Sequence, residues 1–139
     1  MDTSPAYLGN KYLLKMRKVG FLASRKISTR SILPTLDWAL KISKQKDIAI
    51  VSGFHSKMER DVLKILLQGE CGIIVVLARG MFRKLPKQYE VAMLQNRLLI
   101  ISYEKESVTR VSEATAHKRN DYVREIADEM QTSICYYRN

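Results

Sequence analysis

Short runs of consecutive apolar residues alternate along this chain with longer stretches in which apolar residues recur every three or four positions. Lys18-Val19-Gly20-Phe21-Leu22-Ala23 is such a run and predicts a buried strand. A basic loop follows, Ser24-Arg25-Lys26-Ile27-Ser28-Thr29-Arg30, in which Ser28 or Thr29, or Ser31 just after it, can cap a helix. That helix is expected over 31–44, with Ile32, Leu36, Ala39, Leu40 and Ser43 on one stripe and Pro34 in its first turn. Residues 47–51 form a second strand, and Ser52-Gly53-Phe54-His55-Ser56 a loop. A second helix spans 57–68, with Met58, Val62, Ile65 and Leu66 inward and Gly69 at the place of a C-terminal cap. The clearest buried strand covers 72–78, through Ile73, Ile74, Val75, Val76 and Leu77.

Arg79 to Lys87 is then a basic loop without an acid. A short helix over 89–95 leads to a fourth strand, 98–102, and a polar segment runs over 103–117. A last helix over 118–129 turns Tyr122, Val123, Ile126, Ala127 and Met130 inward, and a final strand covers 132–136. Residues 1–16, with Ser4, Pro5, Gly9 and Asn10 near their start, read as a leader before a domain over 17–139. Strands rich in Val and Ile that alternate with amphipathic helices predict an α/β, three-layer domain with a mostly parallel sheet of about five strands.

Composition narrows the function. A length of 139 residues suits one domain with its own core. The 24 Lys and Arg outnumber the 14 Asp and Glu, for a formal charge of +10, which favours polyanionic partners. Cys71 and Cys135 stand far apart, and His55 and His117 form no ligand cluster with them, so both cysteines read as buried thiols and neither a metal nor a cofactor is expected. The apolar runs fall short of the roughly 18 residues a membrane span requires, so the expected setting is cytoplasmic, without a membrane partner.

In a parallel sheet covered on both faces, ligands bind where the loops gather at the carboxyl ends of the strands. Those loops carry Ser24-Arg25-Lys26, Ser52-Gly53, Arg79 to Lys87 and Lys118-Arg119-Asn120. Arg25 and Lys26 lie just before a helix start and suit phosphate. Gly53 lets the backbone approach a ligand. In the third loop Phe82 stands among four cations, Arg79, Arg83, Lys84 and Lys87, a pattern that suits single-stranded nucleic acid: cations such as Arg83, Lys84 and Lys87 follow the backbone while a ring stacks on a base. Lys118-Arg119-Asn120 opens the last helix, where an anion would offset the unfavourable dipole. No P-loop, full GxGxxG, HExxH or GxSxG occurs, so an enzyme is not expected. His55 reads as a surface or capping residue, and Glu59 and Asp61 as the solvated face of the second helix.

Several motifs in order resemble the Rossmann-like domain of the DprA/Smf family of DNA-processing proteins. Ala23-Ser24-Arg25 stands where the family has Gly-Ser-Arg after its first strand, and Val51-Ser52-Gly53 matches its Ser-Gly loop. Gly80, Leu85-Pro86 and the strand ending at Ser102-Tyr103 follow the family's course, and Arg119-Asn120 matches its Arg-Asn pair. The continuation Ala-x-Gly-Ile-Asp is here His55-Ser56-Lys57-Met58-Glu59. The resemblance covers residues 17–136. It implies single-stranded DNA as ligand, a recombinase loaded onto that DNA, homodimers and a role in DNA uptake. The Pro-Gly-Gly-x-Gly-Thr signature of a related phosphoribohydrolase branch is absent. A small-nucleotide sensor that uses the same strand-end pocket is the alternative reading.

Overall fold

Alternation within the apolar runs shows how this chain builds two faces from one sheet. In the computed structural model, which describes residues 4–132, Gly72–Leu77 (β4) turns Ile73 and Val75 to one side and Ile74 and Val76 to the other. All four are buried, as expected for a strand covered above and below. Ile48–Ser52 (β3) and Leu98–Ser102 (β5) are buried at every position in the same way.

Among the described residues six strands form one sheet. Its centre is β3 between Arg17–Leu22 (β2) and β4, with β5 beyond β4, all parallel; Val19 pairs with Ile50, Val51 with Ile74, and Val75 with Ile100. Glu129–Thr132 (β6) lies parallel to β2 on the other flank, with Gly20 opposite Met130. Ala6–Gly9 (β1) closes the β5 edge antiparallel, with Tyr7 opposite Ile101. Residues 6–16 are therefore not a loose leader: β1 belongs to the sheet, and Lys11–Lys15 forms a 3-10 turn that buries Leu13 in the core. Of the final strand expected over 132–136, Thr132 is the last residue of β6, and the rest lies outside the described residues.

Thr29–Ile42 (α1), Lys57–Leu67 (α2) and Glu90–Leu94 (α3) cover one face, where Phe21 stacks on Trp38 at 5.2 Å between ring centres. Glu113–Ile126 (α4) covers the other, packing across β2, β3 and β4. α1 starts at its cap Ser28, so Pro34 sits six residues in, where it removes one intrahelical N–H without ending the helix. Gly69 is not a left-handed cap. The residue is needed because a Cβ there would lie 2.5 Å from the Ser43 carbonyl oxygen. α4 begins five residues earlier than its expected start at Lys118, which leaves Lys118-Arg119-Asn120 inside the helix.

The end of α2 is closed by an arginine. Arg97, just before β5, donates from Nη1 to the carbonyls of Leu66 and Cys71, and from Nη2 to that of Leu67. The Leu66 carbonyl also accepts from the Gly69 amide at 3.0 Å, while Leu67 ends the helix, where carbonyls lack the next turn's amides. Arg97→Ala is expected to lower stability by about 2 kcal/mol, the scale of lost hydrogen bonds to a charged group, read from the urea midpoint.

Candidate functional site

A parallel sheet with helices on both faces delivers the turns after its strands to one edge. The turns after β2 and β3 meet the first two turns of α4 there and enclose a cleft of about 680 Å³. Ala23, Ser24 and Arg25 come from the first turn, His55, Ser56 and Glu59 from the second, and Val111 to Glu113, Ala116, His117, Arg119 and Asn120 from α4 and its entry.

The floor is tied together by one carboxylate. Glu59 is 4% exposed. Its Oε2 accepts from the Ala23 amide at 3.0 Å, and its Oε1 accepts from the amides of His55 and Ser56 at 2.9 and 3.1 Å. The Ser56 hydroxyl accepts from the Glu59 amide in return, a reciprocal cap at the start of α2. Glu59 thus does not lie on a solvated helix face. It replaces water for three backbone donors from two separate turns. Within the second of those turns Phe54 is buried with φ at +50°, a left-handed conformation that costs a bulky residue about 1–2 kcal/mol. Its amide donates to the Ser52 hydroxyl, so the fully buried Ser52 shapes the turn from beneath.

The wall is Arg119. It is 6% exposed, and its Nε donates to Oδ1 of Asn120 at 2.9 Å. Among the described residues its Nη atoms make no hydrogen bond and no ion pair. Burial lowers the pKa of the guanidinium, and nearby Glu59 partly restores it. Its side chain lies against Gly53, where a Cβ would collide with the arginine Cδ, Nε and Cζ. His55 is held toward the neutral form: burial lowers its pKa, and Arg119, Arg60 and Arg25 add to this against the opposing pull of Glu59. A buried guanidinium without a carboxylate partner leaves a charge-assisted donor fork open to the cleft, a geometry that fits a phosphate or carboxylate. Among the described residues no three His, Cys, Asp or Glu side chains are placed to hold a metal.

The structure thus brings Ser24, Arg25, Arg119 and Asn120 onto one cleft, with Gly53 against Arg119. The other expected residues stand apart from it. Lys26 is exposed beside the cleft, and its carbonyl accepts from the Ser24 hydroxyl. Lys84 and Lys87 are exposed on the loop after β4, Arg83 lies 3.6 Å from Glu106, and Lys118 lies 3.3 Å from Glu104. Phe82 is half-buried against the core beside Tyr89, with Arg79 over its ring. Two contributors escaped the sequence reading. Glu59 was signalled by the Ser56-x-x-Glu59 capping pattern. The start of α4 was signalled by Ser112, whose side chain accepts from the Thr115 amide.

The family model for DNA recombination-mediator protein A matches residues 4–131. Among solved structures, DNA processing protein A from Streptococcus pneumoniae superposes with a TM-score of 0.71 at 20% identity, over 97% of this chain and 47% of that one. DNA processing protein A from Helicobacter pylori, a protein with a single-stranded DNA binding mode, superposes with a TM-score of 0.71 at 18% identity, over 92% of this chain and 59% of that one. The chain therefore spans about half the length of these two proteins. No curated protein sequence matches it.

Two substitutions separate scaffold from ligand contacts. Glu59→Gln leaves one acceptor oxygen for three amides and is expected to cost about 2 kcal/mol in urea unfolding, with faster hydrogen exchange at His55 and Ser56. Gly53→Ala displaces a flexible side chain rather than backbone, so its expected stability loss stays under about 1 kcal/mol, while anion affinity falls about tenfold in calorimetric titration.

Proposed function

The chain belongs to the DNA recombination-mediator protein A family, and on that premise we propose that it binds single-stranded DNA in the cleft between the β2 and β3 turns and α4, without catalysing a reaction. The observation that carries this reading is the buried Arg119, whose terminal nitrogens are left without an acidic partner among the described residues. Leaving such a charge uncompensated is costly, and a strand phosphate compensates it on binding. Arg25 supplies a second cation at the mouth. Lys26, Lys84 and Lys87 extend the positive edge for neighbouring phosphates. Arg83 and Lys118 join them when they leave their acidic neighbours, since exposed ion pairs contribute little.

The Helicobacter pylori relative supports the ligand class, and the net charge of +10 supports a polyanion. The same reading carries a recombinase that receives the strand, a second copy of the chain as partner, and a cytoplasmic setting. All three rest on family membership.

Titration of a labelled oligothymidylate between about 50 and 200 mM salt tests the proposal, because each neutralised phosphate of a single strand adds about −0.7 to the salt slope. Arg119→Ala and Arg25→Ala are each expected to weaken binding about tenfold and to flatten that slope by roughly one phosphate. Unchanged affinity in Arg119→Ala, with binding indifferent to salt, would show that the cleft is not the anion site.

A further inference from the structure

We infer that the cleft is selective for a phosphate monoester, the group found at a strand end or on a mononucleotide, and that His55 and His117 are the residues that read it. This rests on the anion reading above and goes beyond it by naming the chemical form of the phosphate.

The first support is the set of cations and imidazole donors gathered on the walls. Arg25, Arg119, His55 and His117 all line one cleft. Glu59 at its floor offsets part of that charge, but both its oxygens are engaged by backbone amides and it forms no ion pair with them among the described residues. An internal phosphodiester carries a single charge. A monoester carries close to two at neutral pH, with its last ionisation near pH 6, and presents three equivalent acceptor oxygens. Two arginines already exceed what one diester requires, and the two imidazoles beside them offer N–H donors for the additional acceptor oxygen.

The second support is how His55 is placed. It follows the strained, buried Phe54, and its own amide is fixed on Glu59, so the turn is anchored on both sides of the φ outlier. Backbone strain held this firmly fixes the path that delivers His55 to the cleft. The groups facing His55 are Arg119 from α4, Glu59 and Arg60 from α2, and Arg25 from the β2–α1 turn. His117 shares its helix with Glu113, one turn earlier on the same wall. Burial, with three cations against one engaged carboxylate, keeps the empty site short of protons at His55. A dianion reverses that balance, so binding a monoester takes up a proton. Affinity for the monoester should therefore rise as pH falls from about 8 toward 6, until the phosphate itself protonates.

Calorimetric titration of the whole chain decides the matter, with three oligothymidylates of one sequence bearing a 5′-phosphate, a 3′-phosphate or hydroxyls at both ends, and with thymidine monophosphate against thymidine. Near pH 6.5 the monoester ligands should bind about tenfold tighter than their hydroxyl counterparts. That ratio should shrink toward unity near pH 8, in His55→Gln, and further in the His55→Gln/His117→Gln pair. Which monoester binds tightest identifies the source as a 5′ end, a 3′ end or a free nucleotide. Equal affinity for phosphorylated and hydroxyl-ended strands, with Arg119→Ala still weakening both, would overturn this inference and leave the strand-binding reading standing. Indifference of every ligand to Arg119→Ala would remove both.

Discussion

A single buried carboxylate holds the working end of this molecule together. Glu59 accepts from the amides of Ala23, His55 and Ser56, which belong to turns following two different strands. Burying a carboxylate is costly unless donors replace its water, and here the donors are backbone groups that need partners themselves. The arrangement has an electrostatic corollary. Had Glu59 been neutralised by Arg119, the two would have formed a closed ion pair with nothing left for a ligand. Because amides satisfy the carboxylate, the guanidinium above it keeps its capacity to bind.

The elements most legible in the sequence were those whose side chains are buried on both faces. The runs in β3, β4 and β5 have no exposed residue, so their apolar continuity survives into the sequence undiluted. The converse explains β1: all four of its residues are exposed at the sheet edge, and only backbone pairing with β5 makes it a strand. The start of α4 was hidden because its first turns line the cleft rather than the core. Glu113, Ala114, His117 and Lys118 are exposed, and the buried positions begin at Arg119. A helix whose inward face opens onto a ligand site carries little apolar periodicity. The cluster of Ser24, Arg25, Arg119 and Asn120 could be anticipated from loop positions. The part played by Glu59 could not, because a glutamate after a helix cap reads as solvated until the amides of a distant turn are seen to converge on it.

Similarity to the two DNA processing A proteins is strong in shape and slight in sequence, with a TM-score of 0.71 at 18–20% identity. The local chemistry fits that contrast. Gly53 is kept small by the arginine lying on it, while the residues that follow, His55 to Glu59, are bulkier and more polar than the small-residue stretch the resemblance leads one to expect. The turn that carries them is held from below, through Ser52 and Glu59.

The connection after α4 is very short. Only Ala127 and Asp128 separate the helix from β6, and Asp128 is pinned at once, accepting from the Lys18 amide at 2.8 Å while its own amide donates to the Lys18 carbonyl. Ala127 and Met130 also press on Gly20, where there is no room for a Cβ. The helix bearing Arg119 is therefore fixed at its far end to Lys18 of β2, immediately before β6 begins. The placement of the cleft wall and that of the β6 border are thus set by one two-residue joint, with no loop between them to absorb a difference.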